Sequence, residues 1–172
     1  MLPTIILRHR RENLKKCSLT GLETHPALHF LTYPTSALPD LSNYIVLKVG
    51  APPLTIADAS KGLFLIDATW RLAGVMAKVM PEGLEERSLP LGFKTAYPRR
   101  NTDCLDPAAG LSSIEALYIA HRLLNKPHDD LLNRYHWKEQ FLRANCKTLM
   151  IEDRQQPRPQ GARLGRKLTS LS

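Results

Sequence analysis

A chain of 172 residues, 43% of them hydrophobic and 23% charged, is long enough to bury one core and too short for two catalytic domains of ordinary size. Lys and Arg outnumber Asp and Glu by 24 to 16, and the resulting formal charge of +8 attracts polyanions in a salt-dependent way. No apolar run approaches the length of a bilayer span; the three cysteines are odd in number and widely spaced with no C-x-x-C pair, and the six histidines show no recognised ligand spacing, so neither a disulfide framework nor a metal site is suggested. The expectation is a cytoplasmic protein in a reducing compartment, with neither membrane nor metal as partner.

In chain order, residues 4–7 are a short β-branched and apolar run that reads as a first strand, emptying into the basic segment 8–16. Residues 28–33 read as a second strand ended by Pro34, and residues 44–49 as a third, before Gly50, Pro52 and Pro53 break the chain. The run Leu63, Phe64, Leu65, Ile66 is continuous rather than alternating, which is the pattern of a strand covered on both faces. After Asp67, the residues Leu72, Val75, Met76, Val79 and Met80 recur at helical spacing until Pro81. Residues 89–91 fit another short strand, and 94–110, rich in Pro, Asp, Asn and Arg, fit a long loop. Ile114, Leu117, Tyr118, His121 and Leu124 mark a second amphipathic helix, and residues 131–150 carry one more or a broken pair. The division is a domain over 1–150 and a basic tail over 151–172. The tail's Gln, Pro, Gly and Arg cannot bury enough apolar surface to order it, so it is either an RNA-contacting arm or a solvated end.

Strands alternating with helices predict an α/β layer fold, whose ligands gather outside the carboxyl ends of the strands. Asp67 stands at such a position, and Asp67-Ala68-Thr69-Trp70 sets an acid and a large aromatic at one crevice. A helix N-cap at Asp67 or Thr69 and a core Trp70 would explain the same residues. At the next helix, Ser112 and Glu115 have capping-box spacing, and the same helix N-terminus is a place where a ligand carboxylate or ribose meets backbone amides. No G-x-G-x-x-G loop, P-loop or G-x-S-x-G elbow is present.

These segments resemble a superfamily that unites the DTW-domain tRNA aminocarboxypropyltransferases with the ribosomal small-subunit RNA aminocarboxypropyltransferases. Asp67-Ala68-Thr69-Trp70 is similar to its D-x-T/S-W signature, and Leu111-Ser112-Ser113-Ile114-Glu115-Ala116 to the L-S-x-x-E-A motif of both branches. Lys16-Cys17-Ser18, Leu89-Pro90 and the W-x-x-x-F-x-x-x-N spacing of Trp137, Phe141 and Asn145 resemble the ribosomal branch. Tyr97 and Arg99 are closer to the DTW branch, and residues 101–109 fit neither.

The resemblance implies a SPOUT-like, knotted α/β fold with a mostly parallel sheet flanked by helices. It implies S-adenosylmethionine (SAM) as co-substrate and transfer of its 3-amino-3-carboxypropyl group to a uridine-type base in structured RNA, either tRNA or small-subunit ribosomal RNA. Carried over position by position, cofactor contacts fall at Ser18, Ile66, Leu89, Ala109 and Ser113, with Asp67 and Trp70 as the functional pair. A carboxylate near the base's imide can accept its proton as the new bond forms, the role expected of Asp67. Trp70 would shield the sulfonium or stack on a ring. Arg8, Arg10, Arg11, Lys15, Lys16, Arg99 and Arg100 are candidates for phosphate contacts, with solvated surface charge as the alternative. A SPOUT-type RNA methyltransferase and a non-catalytic RNA-binding assembly factor remain open at this point, as does the oligomeric state.

Overall fold

The computed structural model describes residues 2–35, 37–78, 80–98, 110–126 and 128–155. The unbroken apolar run lies where its pattern requires, in a central strand with both faces covered. Among the described residues, β1 (Thr4–His9), β2 (Leu28–Tyr33), β3 (Tyr44–Leu47), β4 (Gly62–Asp67) and β5 (Glu85–Arg87) form one sheet in the order β2-β1-β4-β3-β5, with every pairing parallel. Because side chains alternate along a strand, the core divides in two. On one face Ile5, Leu7, Val46 and Phe64 pack with Met76 of α1 (Trp70–Ala77). On the other, Ile6, Ile45, Leu63 and Leu65 share a cluster with Leu117 of α2 (Ser113–Leu123) and Phe141 and Leu149 of α3 (Lys138–Gln155).

Several boundaries move from their sequence positions. The third strand stops at Leu47, and the expected strand over 89–91 is displaced to β5, whose residues are Glu85, Glu86 and Arg87. Three charged residues carry no β-type periodicity, yet β5 is an edge strand held by ion pairs from Lys48 to Glu86 and from Lys61 to Glu85. Leu89 and Leu91 are apolar for a different reason, because they line a cavity. The segment 131–150 resolves into turns followed by α3, which continues to Gln155 and so into the expected tail. There Arg122 of α2 binds Asp153, the Nε to Oδ1 distance being 3.0 Å. Residues 156–172 lie outside the described residues. Among those described, no helix is long and apolar enough to cross a membrane, and no group of three or more His, Cys, Asp or Glu is placed to hold a metal ion.

Candidate functional site

Parallel strands aim their carboxyl ends the same way, and the loops that leave β3, β4 and β5 meet there around a cavity of about 660 Å³. That volume is in the range of pockets that enclose a small organic ligand, roughly 300–1,000 Å³. Two of its walls are loops fastened to one another through Ser88. The Ser88 amide donates to Pro52 O (2.8 Å), its hydroxyl donates to Ala51 O (2.7 Å), and its carbonyl accepts from the Leu54 amide (2.7 Å). Gly50 and Gly92 sit in these two loops with φ of +82° and +98°, a left-handed backbone that a side chain would strain. Val49 and Leu91, 79% and 96% exposed, stand at the rim as apolar surfaces open to cover whatever enters.

The third wall is the start of α2 with the end of β4. Ile66, Ala68, Gly110, Leu111 and Ser113 all line the cavity. Behind them lies Asp67, 4% exposed and engaged on both oxygens. Its Oδ2 accepts from Arg8 Nε (2.8 Å) and from the Cys17 thiol (3.3 Å), while Oδ1 accepts from Ser113 Oγ (2.8 Å). Arg8 also donates to Glu23 (2.8 Å) and lies over the ring of Phe30, 4.6 Å from its centroid. Burial works to lower the Arg8 pKa, but the hydrogen bonds to Glu23 and Asp67 outweigh it and the net shift is upward. Burial, and then the Asp67 charge beside it, pushes the Cys17 thiol up to about 12, so Cys17 is a protonated donor rather than a nucleophile.

A fully buried Glu115 holds the far side together. Its carboxylate accepts from the Ser112 amide (2.8 Å), the Ala96 amide (2.7 Å), Thr95 Oγ1 (2.7 Å) and Tyr135 OH (2.9 Å). Burial and then the Glu115 charge raise the Tyr135 pKa well above its ordinary value. Asn145 of α3 completes the attachment, its Oδ1 accepting from the Lys94 amide (2.7 Å) and its Nδ2 donating to Lys94 O (2.8 Å). The irregular segment that leaves the cavity at Phe93 is therefore pinned to both helices. Tyr97 packs edge-on against Trp137 (5.2 Å between centroids) and donates to Lys16 O (2.5 Å).

The fold has a solved counterpart. The chain is similar to the SAM-dependent rRNA:acp-transferase Tsr3 from Vulcanisaeta distributa, with a TM-score of 0.66 and 26% identity over 87% of this chain and 82% of that one. No protein-family model and no curated protein matches the sequence.

Of the cofactor positions expected from sequence, Ile66, Leu89 and Ser113 line this one cavity. Ser18 is elsewhere: its Oγ accepts from the Ile114 amide (3.2 Å), and so it caps α2 from across the chain. Ala109 lies outside the described residues, next to Gly110, which lines the cavity. Asp67 does not line the cavity, and neither it nor Thr69 caps α1 through its side chain. Trp70 opens α1; its side chain lies outside what the structure describes. Among the basic candidates Arg10, Arg11, Lys15 and Lys16 are exposed, whereas Arg8 is turned inward on Asp67 and Glu23. Arg99 and Arg100 lie outside the described residues. Sequence reading missed Ser88 and Asn145 as fasteners of the cavity walls. The motif around Glu115 was visible as a capping box and as a helix N-terminus that could meet a ligand, but its spacing gave no sign of the bonds to Thr95, Ala96 and Tyr135.

Proposed function

We propose that this chain transfers the 3-amino-3-carboxypropyl group of SAM to a uridine-type base in ribosomal RNA. The observation that supports this most is the convergence of Ile66, Leu89 and Ser113 on one cavity, because the motifs that singled them out belong to aminocarboxypropyltransferases. The similarity to Tsr3, an rRNA acp-transferase by its description, favours ribosomal RNA over tRNA as the acceptor. The reading carries with it the SPOUT-like knotted chain path that the resemblance implies. What supports it is the resemblance itself; the cavity draws on three separate segments, around Val49, Leu91 and Leu111, as ligand sites at the carboxyl edge of a parallel sheet do.

The lining residues fit such a co-substrate. Leu47, Leu65, Ile66, Leu89 and Phe93 offer apolar surface to a purine ring, and the backbone of Gly50, Gly92 and Gly110 lets a ligand approach without side-chain obstruction. SAM supplies an alkyl group already activated as a sulfonium; the C–S bond breaks, its electron pair leaves with a neutral thioether, and the proton that the base's imide nitrogen gives up passes to water. Which of its carbons reacts depends on orientation, and orientation is what a rigid cavity sets. Here the chain contributes fixed walls: Ser88 ties the two loops, Glu115 and Asn145 pin the segment behind Phe93, and Asp67 clamps Ser113 at the cavity edge. In this reading Asp67 is a positioning residue, which departs from the proton-accepting role its sequence position suggests. Trp70, two residues beyond the cavity-lining Ala68, keeps the shielding role that the resemblance implies.

The test is nucleoside mass spectrometry of ribosomal RNA and of tRNA, each incubated with the purified protein and SAM labelled in its methionine carbons. An aminocarboxypropyl-uridine-type product in the ribosomal pool is expected. A methylated product, a product in tRNA alone, or none at all despite RNA binding would overturn the reading.

A further inference from the structure

The carboxyl edge of the sheet holds more than the cavity. In spatial order, the cavity occupies the ends of β5, β3 and β4, through Ser88, Lys48 and Ile66. Asp67 and Arg8, opposite one another in the β4–β1 register, come next along this edge. One strand further, at the ends of β1 and β2, His9 and Tyr33 are also register partners, with ring centroids 5.6 Å apart and planes inclined at 33°. Both rings are partly exposed, and Tyr33 also packs against the core cluster that contains Ile5 and Leu7. Strands lie roughly 4.8 Å apart, so Tyr33 stands about 10 Å from Asp67 along this edge.

The ring pair is held firmly and sits in positive surroundings. The Arg10 amide donates to Tyr33 O (2.9 Å), the Glu12 amide to His9 O (2.9 Å), and the Arg11 amide to His9 Nδ1 (3.0 Å). Exposed Arg10, Arg11, Lys15 and Lys16 follow immediately, with Glu12 the one acidic residue among positions 8–16. A cross-strand aromatic pair can serve merely to stabilise a sheet edge. Partly exposed rings, anchored by backbone hydrogen bonds and followed in the chain by four exposed cations, on the same sheet edge as the cavity, match what an unpaired nucleotide needs: a flat face for its base and cations for its phosphates.

We propose that His9 and Tyr33 form a stacking platform for an unpaired base of the RNA substrate, next to the acceptor base, with Arg10 and Arg11 meeting the adjoining phosphates. The proposal rests on RNA being the acceptor. It adds that the RNA runs across the carboxyl edge from β2 toward the cavity, and that a single-stranded stretch is what it recognises.

The test uses the full chain without SAM, and measures binding by anisotropy to a labelled single-stranded RNA oligonucleotide and to an RNA duplex of equal charge across a salt series. Tyr33→Leu keeps the apolar bulk and strand preference of the position but removes the ring. It is expected to weaken single-strand binding about 5- to 150-fold, as loss of one stacked base does, with the salt slope and the duplex affinity unchanged. Tyr33→Phe should bind within about 2-fold of the wild type, because it keeps the stacking face. The Arg10→Ala/Arg11→Ala variant should reduce the salt slope by about 1 to 2 on both RNAs. An oligonucleotide carrying 2-aminopurine gives a readout at the base itself, quenched on the wild type and not on Tyr33→Leu. Equal affinity of Tyr33→Leu and wild type for the single strand, or equal losses on both RNAs, would overturn the platform while leaving RNA binding intact. Failure of the wild type to bind either RNA would instead defeat the reading on which the proposal rests.

Discussion

Replacing Asp67 by Asn tests whether this carboxylate positions the cavity wall or takes part in proton transfer. The side chains of Arg8 and Asp67 are 12% and 6% exposed, so the pair is largely withdrawn from water. Removing one partner of a fully buried ion pair costs about 3–5 kcal/mol when the other charge is left alone. Arg8 is not left alone, because Glu23 still accepts from it, and Asn can still accept one bond while its amide donates to Ser113 Oγ. What is lost is the charge-assisted part of one hydrogen bond, about 1.5–3 kcal/mol. Against a stability of about 5–15 kcal/mol the variant should remain folded, with its urea midpoint lowered by about 1 M for a slope of 1–3 kcal/mol per M. A cycle with Arg8→Met should give a coupling energy of about 1–3 kcal/mol. SAM titrated calorimetrically into Asp67→Asn should bind more weakly, and turnover should fall with it, since a neutral amide holds Ser113 less tightly than the carboxylate does. Unchanged stability with no coupling to Arg8 would refute the clamp. Intact SAM affinity with abolished turnover would restore Asp67 as the proton acceptor.

The thiol of Cys17 gives a prediction in pH. Its folded pKa of about 12 exceeds the ordinary 9.0, so the folded chain keeps a proton that the unfolded chain releases; stability from this group is full below pH 9 and declines toward pH 12. Urea midpoints followed from pH 8 to 11 should fall, and Cys17→Ala should flatten that decline; an identical slope in the variant would show that the thiol is not its source. Glu115→Ala would strand four donors in the interior, among them the Ser112 and Ala96 amides, and should cost about 3–5 kcal/mol with weakened SAM binding. A loss under about 1 kcal/mol would mean that the segment after Phe93 is held by other contacts.

How much of this was legible in the sequence depends on the range of the interaction. The central strand and α2 announce themselves through local periodicity, and both lie within a residue or two of their predicted places. β5 is invisible to the same reasoning, because three charged residues at an edge are stabilised by partners such as Lys48, 38 residues away. The site divides along the same line. Ile66, Leu89 and Ser113 could be marked from motifs, but the environment of Asp67 could not, since Arg8, Cys17 and Ser113 stand 59, 50 and 46 residues from it in the chain. A carboxylate that looked free in the sequence is a buried junction in the fold. Arg8, read as a phosphate contact among other basic residues, is its principal partner.

That outcome changes what the motifs mean. Lys16, Cys17 and Ser18 each fasten the N-terminal segment to a different part of the molecule: Tyr97, Asp67 and the first turn of α2. Glu115 and Asn145 act likewise on the segment 94–96. None of these five contributes to the cavity surface, yet each fixes something that does or lies next to it. In the proposed transfer, which depends on presenting one of several reactive carbons, such residues would restrict the outcome, because a loosely held wall would admit more than one orientation. The short motifs therefore carry the chemistry of the site indirectly, by leaving its walls a single arrangement. The cavity surface itself is shared between positions the motifs mark, Ile66, Leu89 and Ser113, and apolar side chains such as Leu47 and Phe93, which no motif marks.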